Sequence, residues 1–359
     1  MADIYREIIE SLRRKEKVAL ATLISRVGSA PRGVGAKYLI REDGTTLGSI
    51  GGGCVEAEVW QQAQDVMEKD QAGVLHFKLT AQQLAEGGLI CGGNIDVLVE
   101  PLREGFLDVY EEVLRIRERG ETGVLVTLIA IDGKPPEDKA CKALFKSSGE
   151  KVGFLYDGEA LEQEISGEMA GLLKEKRPKV LDLRAKDEGA PWKRIEVLLE
   201  PIFSEPTVYL FGAGHVSKEV APLAKRVHFK VVVIDDREIF ANRERFPEAD
   251  EIVVSDFERS FEGLRIDPQS YIVIVTRGHL YDGLVLEQAV KTDARYIGMI
   301  GSKRKIETLY RNLVVKGVPK EKLDRVYAPI GIDINSETPE EIAVSIVAQL
   351  IKVRGEAVR

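Results

Sequence analysis

The first half of the chain carries short apolar runs that are separated by glycine-rich turns and interrupted by helical patterns. Val18–Ile24 reads VALATLI and predicts a buried strand, because it is short, apolar and followed by turn residues. Further strands are predicted at Thr45–Ile50, Leu75–Leu79, Ile95–Glu100 and Gly123–Ile131. Apolar positions at near-helical spacing predict helices at 4–14, Glu56–Glu68 and Leu107–Arg119. Residues 130–203 give a weak pattern, in which Val180–Leu183 and Ile195–Leu199 are expected to return to the first sheet.

From about residue 206 onward, apolar strands alternate with helical patterns. The strands are expected at Val208–Phe211, Lys230–Asp235, Glu251–Ser255, Tyr271–Thr276 and Tyr296–Ile300. The helices between them are expected at His215–Arg226, Leu280–Lys291 and Lys303–Val315. A last helix begins with Thr338-Pro339-Glu340-Glu341, which supplies an N-cap, a first-turn proline and a capping-box glutamate. This alternation of strands and helices predicts a doubly wound parallel sheet.

The two patterns predict two domains, and a chain of 359 residues is long enough for two hydrophobic cores. An N-terminal mixed α+β domain is expected at residues 1–203, and a Rossmann-like doubly wound domain at 207–359. The overall fold class is therefore α/β. The last helix, 338–354, could pack within its own domain or across the two domains, and the sequence leaves this open.

The composition does not change the predicted fold, but it excludes several classes of function. The formal net charge of −8 and the lack of a basic block argue against nucleic-acid binding. No apolar run approaches the ~20 residues that span a bilayer, and no signal-peptide core follows Met1, so no membrane contact is expected. Three cysteines without a disulfide pattern favour a reducing cytoplasm as the location.

A glycine fingerprint opens the second domain. Gly212-Ala213-Gly214-His215-Val216-Ser217 lies between a predicted strand and a predicted helix, which is the context that G-x-G-x-x-G requires. Gly212 would allow the tight turn, and Gly214 would let a phosphate approach the backbone at the helix N-terminus. Ser217 replaces the third glycine and weakens the match. Asp235 ends the next strand where a ribose-binding acid would lie, although a Rossmann-like fold with an altered site is the alternative interpretation.

Two further strand ends add polar and cationic groups, because ligands bind at the carboxyl ends of strands in open α/β sheets. Thr276-Arg277-Gly278-His279 follows one strand, and Gly301-Ser302-Lys303-Arg304-Lys305 follows the next. Arg277 and the Gly301-Ser302-Lys303 turn are the expected ligand contacts. His279 is either a general acid–base or a group at the start of a helix, and the basic cluster could equally be a solvated helix start.

The glycine run in GSIGGGCVE places a cysteine at the start of a predicted helix. Gly51-Gly52-Gly53 precedes Cys54, where the helix dipole would lower the pKa of a thiol and the glycine amides could bind an anion. Glu56 is expected to be a helix N-terminal charge. Cys91 lies in a second glycine motif, Ile90-Cys91-Gly92-Gly93. The alternative for both cysteines is that they are small packing residues, and the lack of CxxC or Cys/His pairing argues against zinc.

A third glycine-rich loop, Gly28–Lys37, follows the first predicted strand and reads GSAPRGVGAK. Arg32 and Lys37 lie beside glycines in this loop. The two cations would suit an anionic ligand, and a rigid turn with exposed charges is the alternative.

The chain resembles the XdhC/CoxI family over nearly its full length. The resemblance rests on the ordered motifs GSAPRGVGAKYLI, GSIGGGCVE, CGG, FGAGHV with VIDDR, TRGH, YIGMIGSKRK and PIGIDINSETPEEIAVSI. It implies an N-terminal domain with the cysteine motif, a C-terminal Rossmann-type domain and a homodimer. It also implies an accessory protein that binds molybdenum cofactor, helps it acquire its terminal sulfido ligand and delivers it to an apo molybdenum hydroxylase such as xanthine dehydrogenase. A cysteine desulfurase is a candidate second partner.

The resemblance assigns roles to the candidate residues. Molybdenum cofactor, as molybdopterin or its dinucleotide form, is anionic and has a soft metal centre that suits a thiolate. Cys54 would contact or guard the molybdenum, and the Rossmann crevice would hold the phosphate or nucleotide end. Cys54, Cys91 and His279 are candidates for a chemical role, and none of them is assigned as catalytic.

Two other functions fit parts of the chain. An NAD(P)-dependent oxidoreductase would use the Rossmann half alone, but it leaves the GGGC and CGG motifs without a role and has only His279 and Asp282 near a catalytic arrangement. A nucleotidyltransferase-like or nucleotide-sensing protein would act on the pterin phosphate. The chain is too short for xanthine dehydrogenase itself and lacks the cysteines for two iron–sulfur clusters. A maturation chaperone is therefore favoured over a turnover enzyme.

Overall fold

The computed structural model describes residues 3–28, 31–78, 93–136, 141–156, 158–185 and 192–356. One compact unit ends at Ser204, and a second begins at Glu205. Among the helices within these ranges, none combines the length and the apolar character needed to cross a membrane.

The N-terminal unit contains two five-stranded antiparallel sheets. The first sheet is formed by β1 (Val18–Gly28), β2 (Lys37–Arg41), β3 (Thr46–Gly48), β4 (Gly73–Lys78) and β5 (Gly93–Pro101). The second sheet is formed by β6 (Gly123–Ile131), β7 (Cys141–Lys146), β8 (Lys151–Leu155), β9 (Lys179–Arg184) and β10 (Arg194–Ile202). The spatial orders are β3-β2-β1-β5-β4 and β8-β7-β6-β10-β9.

The helices of this unit follow the apolar spacing of the sequence. They are α1 (Ile4–Arg13), α2 (Gly53–Lys69), α3 (Leu107–Arg119) and α4 (Gly158–Glu175), with a 3₁₀ turn at Glu104–Phe106. Asp3 caps α1 by accepting a hydrogen bond from the Tyr5 amide at 2.9 Å. Helix α2 buries the stripe Val55, Val59 and Ala63 against the first sheet, as its near-helical spacing predicts.

Two lysine–glutamate pairs join the two sheets. Lys37 on β2 lies 2.6 Å from Glu200 on β10, and Lys142 on β7 lies 2.9 Å from Glu100 on β5. All four side chains are buried. Each sheet therefore contributes one lysine and one glutamate to the shared interior, and neither charge is left unpaired.

The path of residues 130–203 differs from the prediction. Val180–Leu183 and Ile195–Leu199 lie in β9 and β10, which pair with each other, and β10 pairs with β6, so the expectation that they return to the first sheet is wrong. Helix α4 and strands β7 and β8 have no counterpart among the predicted elements. Antiparallel strands carry no local mark of which sheet they join, because packing decides their partners.

The C-terminal unit confirms the doubly wound parallel sheet. Its strands are β11 (Thr207–Phe211), β12 (Lys230–Asp235), β13 (Glu251–Val254), β14 (Ser270–Ile274) and β15 (Tyr296–Met299). Its helices are α5 (His215–Arg226), α6 (His279–Ala289), α7 (Lys303–Val315), α8 (Lys320–Asp324) and α9 (Pro339–Glu356). All neighbouring strands are parallel, and their order is β13-β12-β11-β14-β15, which is the Rossmann order.

Alternate residues of each strand face two separate cores. Val208 and Leu210 of β11 pack in the core that includes α5 and α9, whereas Tyr209 and Phe211 pack in the core that includes α6 and α7. The strands are thus buried on both faces, which explains their continuous apolar runs. Helix α9 packs against α5 within its own unit. Its predicted capping box forms, since Thr338 and Glu341 exchange hydrogen bonds.

Candidate functional site

The parallel sheet brings the predicted ligand contacts of the C-terminal unit to one edge. The glycine turn Gly212–Gly214 follows β11, Asp235 ends β12, the Arg277 loop follows β14, and the Gly301–Lys303 turn follows β15. The strands are parallel, so all four segments lie at the carboxyl edge of the sheet.

The two glycines of the fingerprint have different physical roles. Gly212 has φ of +107°, and a Cβ there would lie 2.5 Å from the Val275 carbonyl oxygen, so the turn itself requires glycine. Gly214 has an extended backbone, and a Cβ there would meet no atom within 4 Å. Open space therefore faces Gly214 at the N-terminus of α5, where a phosphate would bind. His215, the first residue of α5, is exposed.

Ser217 fits the fingerprint better than its departure from glycine suggests. The side chain is fully buried, and its hydroxyl donates a hydrogen bond to the Gly212 carbonyl oxygen. The serine therefore ties the first turn of α5 to the glycine turn. Close packing is preserved, because the hydroxyl is satisfied internally.

Asp235, the predicted ribose contact, accepts hydrogen bonds from the glycine turn and from Arg237. Its Oδ2 accepts from the Ala213 amide at 2.8 Å and from Arg237 Nη2 at 3.1 Å. Its Oδ1 accepts from the Arg237 amide at 3.1 Å and from Arg237 Nε at 2.8 Å. Burial raises the pKa of Asp235, but these hydrogen bonds hold it below its usual value. A ribose hydroxyl at this carboxylate would therefore share its oxygens with Arg237 and the Ala213 amide.

An ion pair crosses the carboxyl end of β11. Asp236 follows β12 and Arg277 follows β14, and β11 lies between these two strands. Arg277 donates to both carboxylate oxygens of Asp236, with Nη2 at 2.7 Å from Oδ2. Its guanidinium also lies 4.3 Å from the ring centroid of Tyr281. Arg277 is therefore at the predicted crevice, but its donors face a carboxylate of the protein.

We expect Asp236→Asn to strengthen the binding of an anion at this edge. The substitution removes the charge that Arg277 faces, and inorganic pyrophosphate should then bind about twofold to fivefold more tightly, the range for a partly exposed pair. Isothermal titration with pyrophosphate measures this, and Arg277→Gln is the control, which should weaken binding. Equal affinities for the wild type and Asp236→Asn would show that Arg277 does not reach the anion.

Asp282 connects the loop after β14 to α7. It is fully buried, and it accepts from the Thr276 hydroxyl at 2.6 Å and from Lys305 Nζ at 2.5 Å. A carboxylate that is held in this way is not a free general base. Ser302 caps α7 by accepting from the Lys305 amide at 3.4 Å, and Lys303 is exposed beside it. His279 begins α6, and its side chain lies outside the described part of the chain.

Arg245 is a site residue that the sequence did not predict. Its Nη2 donates to the Ala213 carbonyl oxygen in the glycine turn at 3.4 Å. Its Nε is buried and has no hydrogen-bond partner among the described residues. The guanidinium groups of Arg237 and Arg245 both lie over the ring of Phe240, at 3.9 and 5.1 Å from its centroid. An arginine with an unsatisfied donor beside the glycine turn suits an anionic ligand. Arg245 lies in a loop and belongs to no sequence motif, so the sequence alone does not mark it.

The glycine run of the N-terminal unit presents Cys54 at the start of α2. Gly51, Gly52 and Gly53 have φ of +140°, +81° and +67°, a backbone that L side chains rarely adopt. Gly52 is the N-cap residue, and Cys54 is exposed with a free thiol. The glycines therefore shape a loop that any other residue would strain.

Glu56 occupies amides that were expected to bind an external anion. Its Oε1 accepts from the Gly52 amide at 2.9 Å, the Ile50 amide at 3.1 Å and the Ser49 hydroxyl at 2.8 Å. The expectation that the glycine run offers bare amides is therefore wrong for Gly52 and also for Gly51, whose amide donates to the Ser49 hydroxyl at 3.3 Å. Glu56 is a helix N-terminal charge, as predicted, and it holds the loop that carries Cys54.

The other two glycine motifs meet the same sheet edge. A Cβ at Gly51 would lie 3.0 Å from Pro31 Cγ, so the loop after β1 contacts the glycine run. Gly28 pairs with Gly93, the last residue of the CGG motif. Lys37 points into the inter-sheet pair with Glu200, so the expectation that it faces an anionic ligand is wrong. Cys91 lies outside the described residues.

The second described cysteine contrasts with Cys54. Cys141 on β7 is buried, and desolvation raises its pKa to about 11. At neutral pH its thiol is protonated, which makes it a packing residue. Across the described ranges, no group of three or more His, Cys, Asp or Glu side chains could hold a metal ion.

Sequence comparison matches both units to one family. The XdhC Rossmann domain matches residues 208–350, and the XdhC and CoxI family matches residues 11–78. Together the two matches cover more than half of the chain. The chain belongs to the XdhC/CoxI family. The strand–turn–helix around Gly212 lies in the Rossmann match of this family, and the Cys54 loop lies in the other match.

Relatives of this chain include proteins that are named for xanthine dehydrogenase and for molybdenum cofactor insertion. A Bacillus subtilis protein named as a probable xanthine dehydrogenase subunit is 27% identical over 96% of this chain and 95% of its own length. The molybdenum cofactor insertion chaperone PaoD of Escherichia coli is 22% identical over 98% of this chain and 88% of its own. The uncharacterized protein YqeB of Escherichia coli is 27% identical over 70% of this chain, and the match spans 47% of YqeB.

A solved structure shares the fold of nearly the whole chain. It is the crystal structure of a protein described as a xanthine dehydrogenase from Bacillus halodurans. The TM-score is 0.78 at 28% identity, over 98% of this chain and 96% of that one. The mixed α/β architecture is therefore shared with an experimental structure.

Proposed function

We propose that this protein binds molybdenum cofactor, supports its sulfuration and inserts it into a molybdenum hydroxylase such as xanthine dehydrogenase. Family membership supports an accessory role, and one relative is described as a molybdenum cofactor insertion chaperone. The observation that carries the proposal is the exposed Cys54 thiol on a loop of three glycines with positive φ. A thiol is a suitable ligand for a soft metal centre.

The carboxyl edge of the parallel sheet would hold the anionic end of the cofactor. Gly214 gives it open space at the N-terminus of α5, and Arg245 supplies a cation at the same turn. Amides at a helix N-terminus and an arginine are common partners of a phosphate. This end of the cofactor would be the phosphate of molybdopterin or the diphosphate of its dinucleotide form.

The Cys54 loop would hold or guard the metal end. Glu56 anchors the loop through three hydrogen bonds and so keeps the thiol at the surface. An exposed thiol can meet a cofactor that arrives from one protein and leaves for another. In the proposed sequence the sulfur comes from a cysteine desulfurase, this chain holds the cofactor as a homodimer, and the apo-hydroxylase receives it.

An NAD(P)-dependent oxidoreductase is the alternative function, and the geometry favours it less. Asp235 already accepts four hydrogen bonds within the protein, so a ribose hydroxyl would compete with Arg237 for its oxygens. The sequence offered Asp282, together with His279, as the candidate catalytic residues of such an enzyme. The Asp282 carboxylate is buried and paired with Lys305. The exposed Cys54 would also have no role in such an enzyme.

The test is anaerobic titration of the purified protein with molybdenum cofactor, with NADH as competitor. We expect stoichiometric binding that NADH does not displace. Cys54→Ala should weaken it by about 10-fold to 100-fold, because loss of groups that merely support metal ligands already costs this much. Cys141→Ala is the matched control, since it removes a cysteine that is buried and protonated.

Three outcomes would decide against the proposal or part of it. Saturable NADH binding without cofactor binding would favour the oxidoreductase. Equal cofactor affinity for wild type and Cys54→Ala would remove the thiol from the metal end and leave the chaperone function to the Rossmann edge. A defect in Cys141→Ala as large as in Cys54→Ala would indicate a general effect on folding.

A further inference from the structure

A groove of about 700 Å³ runs between α6 and α7, on the face of the sheet opposite to α5 and α9. Four leucines give it an apolar lining: Leu280 and Leu284 from α6, and Leu309 and Leu313 from α7. Gly283 lets the helices approach, since a Cβ there would lie 2.9 Å from Leu309 Cδ1. Leu280 is 72% exposed. Exposed apolar surface of this kind commonly marks an interaction site.

The edge of the groove is positively charged. Arg304, Lys305 and Lys316 line it, and no Asp or Glu from the described ranges does so. Lys305 pairs with the buried Asp282, and Lys316 pairs with Glu287 at 3.0 Å. Arg304 is exposed and forms no ion pair within the described part of the chain. The groove therefore has a surplus positive charge, although the chain as a whole carries −8.

The groove is long enough to receive several side chains from one face of a helix. Its α7 wall extends from Ser302 to Lys316, which is about 20 Å along a helix. A small-molecule site encloses most of its ligand, whereas Leu280 in the lining of this groove is 72% exposed. A helix that lies in a groove inserts apolar residues at i, i+3 or i+4 and i+7, and the leucine lining suits such residues.

We propose that the α6–α7 groove binds an amphipathic helix of a partner protein. The helix has leucine-like residues on the face that enters the groove and Asp or Glu along the edge that faces Arg304. Charge complementarity selects this partner, because an acidic edge gains attraction at Arg304 while a basic edge is repelled. The inference does not depend on the cofactor function.

Fluorescence anisotropy with a designed peptide tests the groove. The probe is a fluorescein-labelled amphipathic helix with leucines at i, i+4, i+7 and i+11 and glutamates beside them. A second probe carries lysines in place of the glutamates. We expect saturable binding of the acidic peptide, at least about tenfold weaker binding of the basic one, and at least about tenfold loss in Arg304→Glu and Leu280→Ser. Arg226→Glu on α5 is the matched control and should bind like the wild type.

Each other outcome overturns the proposal. No binding of the acidic peptide, or equal binding by wild type and Arg304→Glu, removes the groove as an acidic-helix site. Binding of anilinonaphthalene sulfonate without binding of the peptide identifies a small-molecule pocket. A shift from oligomer to monomer in sedimentation velocity, caused by Leu280→Ser, assigns the groove to a second copy of the chain. Circular dichroism of each variant shows that the fold is retained.

Discussion

Gly214→Val is expected to lower the affinity for molybdenum cofactor by about 100-fold or more while the free energy of unfolding stays within about 0.5 kcal/mol of wild type. The backbone at Gly214 is extended, which valine adopts readily, and a Cβ there meets no atom of the protein within 4 Å. The Cβ therefore enters the open space in front of the α5 N-terminus, and we expect the γ-methyls of valine to occupy the same space. It blocks the approach of a phosphate to the amides without disturbing the fold.

Gly212→Ala is the matched control at the neighbouring glycine. Its Cβ would lie 2.5 Å from the Val275 carbonyl oxygen, and φ of +107° is strained for alanine. This variant should lose about 2–4 kcal/mol of stability, which urea denaturation measures. The two substitutions thus separate loss of binding from loss of folding. Normal cofactor affinity in a stable Gly214→Val protein would exclude the glycine turn as the anion site.

The parallel sheet was predictable because its strands are buried on both faces. An apolar run such as Lys230–Asp235 has no alternation, and the glycine turn after Phe211 marks the strand end. The topology then follows from alternation of strands and helices. In the N-terminal unit, the two antiparallel sheets could not be told apart, because nothing local states that β10 pairs with β6 and not with β1.

The sequence predicted which segments form the candidate site, but it did not predict which atoms their side chains contact. The glycine turn and the Cys54 loop are marked by their own residues. The hydrogen-bond partners of Asp235 and Lys37 could not be predicted, because the sequence does not place Arg237 beside the one or Glu200 beside the other. Arg245 was missed because its link to the Ala213 carbonyl depends on how a loop folds back.

Glu100→Leu is expected to destabilise the N-terminal unit by about 3–5 kcal/mol, the cost of leaving one buried charge without its partner. Lys142 is buried, and its ammonium has the Thr127 hydroxyl at 2.8 Å as its other hydrogen-bond acceptor. Burial lowers the pKa of Lys142, but the attraction of Glu100 and Tyr110 outweighs this and raises it above the usual value. Removal of Glu100 therefore leaves a desolvated cation between the sheets.

The double variant Glu100→Leu with Lys142→Met shows whether the charge or the packing matters. If the unpaired ammonium causes the loss, the double variant should recover most of the stability, since apolar replacements of a buried pair are often neutral. Urea denaturation of the two single variants and the double variant gives the coupling energy. A double variant as unstable as Glu100→Leu would contradict the electrostatic account. In the second pair, Lys37–Glu200, the lysine belongs to the first sheet and the glutamate to the second, which is the reverse of the Lys142–Glu100 pair. A shift of one sheet along the other would therefore separate both pairs and leave buried charges without partners.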